Sequence, residues 1–163
     1  MKRKAIKILG LGFLFLSMHS IAATENLNFT VKVDIYEKVC DINNNQPIDV
    51  DFGDMFIKDV DGVNYERLVE YTLDCEDGDT NPNLKLRFEN NAGAPFDSTL
   101  LNTSDRNVGI LIKADGNKLP LGEWTSFSYN ASPALTATPV PSGAGGINDG
   151  RLTAVALLTV EYE

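Results

Sequence analysis

Apolar and polar residues alternate along many short stretches of this chain, and no stretch carries apolar residues at helical spacing over the length of a helix. In NLNFTVKVDI, residues 26–35, the apolar row is Leu27, Phe29, Val31, Val33 and Ile35, separated by Asn28, Thr30, Lys32 and Asp34. That pattern predicts a strand with one dry face and one wet face. A second alternation, Ile48-Asp49-Val50-Asp51-Phe52, follows the turn residues NNNQP and closes at Gly53. A third strand is expected over Leu68 to Leu73, running into Cys75. Leu84, Leu86 and Phe88 then alternate with Lys85, Arg87 and Glu89, and Val108 to Ile112 is a continuous apolar run. Asp115-Gly116 is a hairpin signal. Trp124, Phe127 and Tyr129 head a further strand region near Leu135 and Val140, before the loop PSGAGGINDG. Seven or eight short strands between turn-forming segments predict an all-β, immunoglobulin-like sandwich.

The closing segment RLTAVALLTVEYE raises a question of completeness. Gly150, Leu152, Ala154, Ala156, Leu158, Val160 and Tyr162 share one parity, and Thr153, Val155, Leu157, Thr159 and Glu161 share the other. Both rows carry apolar residues, which predicts a central strand with little of either face in water. A central strand needs a neighbour on each edge, yet only Glu163 follows Tyr162. Either residues 27–35 fold back into that place or a strand comes from another molecule. Alternation alone leaves both open.

The first residues change the composition. Lys2, Arg3, Lys4 and Lys7 form a basic start, Ile8 to Met18 is an uncharged, mainly apolar run, and Ser20-Ile21-Ala22 offers small residues for cleavage. Residues 1–22 therefore read as a signal peptide, with an apolar run too short to span a bilayer. Four of the 14 Lys and Arg lie in this leader, which leaves ten against 23 Asp and Glu, a net of −13. Such a chain does not bind nucleic acid by neutralising phosphates. His19, the only histidine, leaves with the leader, so no imidazole remains for a catalytic triad or a metal. An exported chain with two cysteines, Cys40 and Cys75, most simply joins them as one disulfide.

Other chemical signals are weak. Asp59, Asp61 and Gly62 suggest a calcium loop, as do Asp74, Glu76, Asp77 and Asp79, but Ile57 and Leu68 stand where an EF-hand needs acidic ligands. Solvated acidic turns are the better reading. The sequons at Asn28, Asn102 and Asn130 would be chance matches if the chain is not made by a glycosylating host. Trp124, Phe127 and Tyr129 could stack on a sugar, though aromatics of this kind more often build a core. Scattered carboxylates do not mark a hydrolase without a cleft. No catalytic residue, metal or cofactor is expected.

Taken in order, these pieces resemble a pilin of the bacterial chaperone–usher pathway. The residues that carry the resemblance are the alternating Leu27, Phe29, Val31 and Val33, then Cys40 in CDI followed by IDVDFGDM. Cys75 closing YTLDC, the segment VGILIKADGNKLPLG and the block from Leu135 to Glu163 complete it, with Gly150 fourteenth from the end and Tyr162 penultimate. The resemblance implies an incomplete sandwich that lacks its last strand. It divides the chain into a signal peptide at 1–22, a donor-strand extension at 23–35 and a pilin domain at 36–163. It implies an acceptor groove along Gly150, Leu152, Ala154, Ala156, Leu158, Val160 and Tyr162. Expected partners are a periplasmic chaperone, an outer-membrane usher and neighbouring pilus subunits, with no nucleic acid and no host receptor bound directly. The expected location is the cell surface, reached through the periplasm.

One departure stands out. Many of these pilins carry glycine seven residues before the first cysteine, where this chain has Val33. A single domain with an extension reads as a minor or adaptor subunit. The alternative is a secreted, self-complete β-sandwich that binds carbohydrate and fills its own edge with residues 27–35.

Overall fold

The computed structural model describes residues 40–75 and 80–163. The expected leader and donor extension, Leu27, Phe29, Val31 and Val33 included, lie outside them, as do Glu76, Asp77 and Asp79.

Eleven strands follow one another, with three short 3₁₀ turns between them. In chain order they are β1 (Cys40–Ile42), β2 (Arg67–Val69), β3 (Leu73–Cys75), β4 (Asn83–Glu89), β5 (Gly93–Ala94) and β6 (Asp97–Asn102). The remainder are β7 (Val108–Ala114), β8 (Asn117–Lys118), β9 (Thr125–Ser128), β10 (Leu135–Pro141) and β11 (Leu157–Tyr162). The large sheet runs β2-β10-β7-β6-β5, with β8 beside β7, and the small one runs β11-β4-β9. β1 and β3 form a pair of their own. Every ladder is antiparallel.

Alternation sets the core. In β4, Leu84 and Leu86 are fully buried and Phe88 nearly so, while Lys85, Arg87 and Glu89 point the other way. Leu86 and Phe88 meet Ile110, Ile112, Leu135 and Ala137 of β7 and β10 in one apolar cluster between the sheets. Asp115 and Gly116 both take positive φ in the β7–β8 turn, which the Asp-Gly pair tolerates. Cys40 pairs with Cys75 in a disulfide that ties β1 to β3.

Four sequence expectations are corrected. Leu68 to Leu73 is not one strand, because β2 joins the large sheet through β10 and β3 joins β1, with the chain crossing between them. The β6 strand was not anticipated, since only Leu100 and Leu101 mark it among polar residues. Residues 48–52 belong to no ladder among the described residues, although Ile48, Val50 and Phe52 are half-buried against the core as their alternation predicts. The final segment is a shorter strand than its alternation predicts. β11 begins only at Leu157 and has one ladder partner among the described residues, β4.

Candidate functional site: an unpaired sheet edge

β11 is held along one side. Leu158 stands opposite Phe88, Val160 opposite Leu86 and Tyr162 opposite Leu84. The inward row of Ala156, Leu158 and Val160 is half-buried against the core cluster, and its other edge has no strand among the described residues. An unpaired edge exposes backbone donors and acceptors that call for a partner.

Ile48, Val50 and Phe52 are a second half-buried apolar row. They pack on the same core and are half-buried, while Asp49 and Asp51 are exposed. Arg67 donates from Nη2 to the Phe52 carbonyl at 3.3 Å and pins the far end of this extended segment. Two half-buried apolar rows thus share one core, and β11 has its ladder on one side only among the described residues.

At the Gly150 end lies a cleft of about 240 Å³. Its apolar lining comes from Met55, Ile57, Val60, Val108, Ile147 and Leu152. Asp105 also lines it and is only 8% exposed. One carboxylate oxygen accepts from the Asn107 amide at 2.9 Å. The other accepts from the Asn148 amide at 2.7 Å and from its side-chain nitrogen at 3.1 Å. The backbone hydrogen bonds from Asn107 and then Asn148 hold the Asp105 carboxyl below its usual range. This carboxylate fastens the loop before Gly150 to the turn between β6 and β7.

The expected acceptor residues divide into two groups. Ala156, Leu158, Val160 and Tyr162 follow the open edge and are half-buried. Gly150, Leu152 and Ala154 precede it and lean on the other sheet. Ala154 bridges Thr103, and the Ser104 amide donates to the Thr153 carbonyl at 2.8 Å. Gly150 has φ of +130°, a conformation that favours glycine, at the turn into this segment. Sequence reasoning did not place Ile48, Val50 and Phe52 on the core that Ala156, Leu158 and Val160 share, although their parity was the available signal. The cleft residues Met55, Ile57 and Val60 carried no such signal, because they sit in an irregular loop.

The competing chemistries find less support in the geometry. Asp61 spends its carboxylate on its own turn, accepting from the amides of Val63 at 2.9 Å and Asn64 at 2.7 Å. Those bonds, Asn64 first, hold its carboxyl low. The three aromatics do not share a platform. Phe127 packs on the core, the Tyr129 hydroxyl donates to the Leu73 carbonyl at 3.0 Å, and Trp124 lies under Lys85 and Arg87 at 4.7 and 4.3 Å. A sugar would have to displace two stacked cations to reach that ring.

Comparison with known proteins agrees with this architecture. Residues 27–163 match the family described as "Fimbrial protein". The chain is 30% identical over 167 residues to the uncharacterized fimbrial-like protein YfcR of Escherichia coli strain K12, covering 96% of this chain and 94% of that one. The fimbrial adapter PapF of Escherichia coli is 24% identical over 162 residues, covering 92% and 96%. The structure of PapF as the P pilus adaptor subunit superposes with a TM-score of 0.56 over 78% of this chain and 98% of that one. The P pilus rod subunit PapA superposes with a TM-score of 0.59 at 18% identity, over 76% and 99%.

Proposed function

The chain belongs to the fimbrial protein family, and on that premise we propose that it is a minor or adaptor subunit of an adhesive surface pilus, joined to its neighbours by strand donation. The observation that carries this reading is that β11 has a ladder on one side only among the described residues, with Ala156, Leu158 and Val160 half-buried against the core. A donated strand would add ladder hydrogen bonds to β11 and set alternate apolar side chains on that core, a mode of strand addition for which chaperone–pilin complementation is a standing example.

The alternating residues 27–35 suit the donor role. Five apolar side chains, Leu27, Phe29, Val31, Val33 and Ile35, amount to roughly 7–15 kcal/mol of gross burial at about 1.5–3 kcal/mol each. Ordering a free extension takes back a large part of that. Before assembly the same groove is filled by a periplasmic chaperone, and exchange takes place at an outer-membrane usher. The subunit then resides in fimbriae on the cell surface. The minor or adaptor role rests on the likeness to PapF over nearly the full length of both chains.

Deleting residues 23–33 tests the reading. The shortened subunit should still be captured by its chaperone and still accept a donor strand, yet fail to enter the groove of another subunit. Fibres sheared from cells should then lack every subunit beyond it. A shortened chain that loses its own fold instead points to residues 27–35 as its own strand and refutes the proposal.

A further inference from the structure

The outward row of β11 carries apolar surface that its one neighbour leaves uncovered. Leu157 is 63% exposed and Val155, just before the strand, is 79% exposed. On the β4 side Leu157 stands opposite Glu89, which is engaged by Arg87 at 3.0 Å. The next residues of the same row are matched to β4. Thr159 donates to Glu89 at 3.4 Å, and Glu161 pairs with Lys85 at 3.3 Å. The polar half of the row thus has partners, and among the described residues the aliphatic half stays exposed.

A strand docked along that edge presents two rows. Its inward row enters the groove. Its outward row lies beside Val155, Leu157, Thr159 and Glu161, at the 4.5–5.5 Å spacing of cross-strand neighbours. We propose that Val155 and Leu157 select the incoming strand by its solvent-facing row, and that the preferred occupant is the strand of a different subunit bearing an aliphatic residue there. This rests on the strand-donation reading above. The chain's own residues 26–35 are a poor complement. Whatever their register, their outward row is Asn28, Thr30, Lys32 and Asp34, with no aliphatic side chain among them. A second copy of this chain would leave Val155 and Leu157 facing polar or charged groups, so the surface disfavours self-assembly in favour of a foreign neighbour.

The test uses the mature chain refolded with labelled peptides and chased with excess unlabelled peptide. The reference peptide spans residues 24–36, and four others carry Asn28→Val, Thr30→Val, Lys32→Val or Asp34→Val. One variant, or two that are adjacent in the row, should dissociate about 1.5- to 5-fold more slowly than the reference, the range expected for a single cross-strand pair. The gain should vanish on chains carrying Leu157→Thr or Val155→Thr, which are exposed positions where threonine keeps strand propensity. Equal lifetimes for all peptides, or a gain that survives both chain variants, overturns the selection while leaving strand docking intact. Failure of every peptide to bind overturns strand docking and the selection with it.

Discussion

Asp105 is a nearly buried carboxylate stabilised by three N–H donors from Asn107 and Asn148. Charge-assisted bonds of this kind are stronger than neutral ones and keep the group ionised. Its pKa in the folded chain lies below that of an unfolded aspartate. The stability it contributes is therefore complete above about pH 4, the ordinary aspartate value, and is lost as pH falls through the lower folded value. Hydrogen exchange should show the Asn148 amide losing protection in that acid range before the β7 and β10 amides do. Asp105→Asn should weaken protection at neutral pH and flatten its acid dependence. Tyr71 behaves oppositely in sign. Burial first, then Asp115, pushes its hydroxyl up to about 12, while the hydroxyl donates to the Pro133 carbonyl at 2.8 Å. That phenol stays neutral across the range in which Asp105 changes.

At the scale of elements, the disulfide decides how the first strand is held. β1 is three residues long and pairs only with β3, itself three residues long. Such a pair is marginal alone. Closing the loop across a sequence separation of 35 stabilises the fold by about 3–4 kcal/mol on chain-entropy grounds. A Cys40→Ser/Cys75→Ser chain, complemented with the same donor peptide, should show that loss in chemical denaturation, with hydrogen exchange locating it first in β1 and β3.

The same scale explains what could be read in advance. Strands β4, β7 and β10 announced themselves because they are long and bury one or both faces, so hydrophobic pattern and structure follow the same rule. The break between β2 and β3 did not, because Leu68 through Leu73 reads as one apolar stretch whether or not the chain changes sheets between them. Leu68 is in fact 55% exposed, while Val69 is buried in the same cluster as Leu86. Of the site, the β11 row was legible as a period of two. Its one-sided ladder among the described residues was not, because the apolar outward residues Val155 and Leu157 imitate the signature of a strand covered on both faces. The cleft is formed where two irregular loops converge, and periodicity carries no information there.

For the whole molecule, charge becomes the relevant quantity. The full chain carries a formal −9, and four of its 14 Lys and Arg lie within the first seven residues, so the rest of the chain is more acidic still. Two such subunits repel until their surfaces meet, and salt screens that repulsion over about 8–10 Å at physiological ionic strength. Strand exchange between two copies of this acidic subunit should therefore quicken as salt rises from about 10 to 150 mM, where the Debye length falls from about 30 to 8 Å. Stopped-flow fluorescence of labelled subunits measures this. A rate that falls with salt would mean that local opposite charges, rather than the overall excess, steer the encounter.

The two ends of the groove are not equivalent. Tyr129 ties the β3 backbone to the end where Tyr162 sits opposite Leu84, and β3 carries Cys40 through the disulfide. The cleft lies at the other end, beside Gly150 and Leu152. The stem from which any preceding residues depart and the mouth that receives a visitor thus stand at opposite poles of one body. Were copies joined stem to mouth, the contact would be heterologous, and where its rotation does not close it would give an open thread with a distinguishable head and tail.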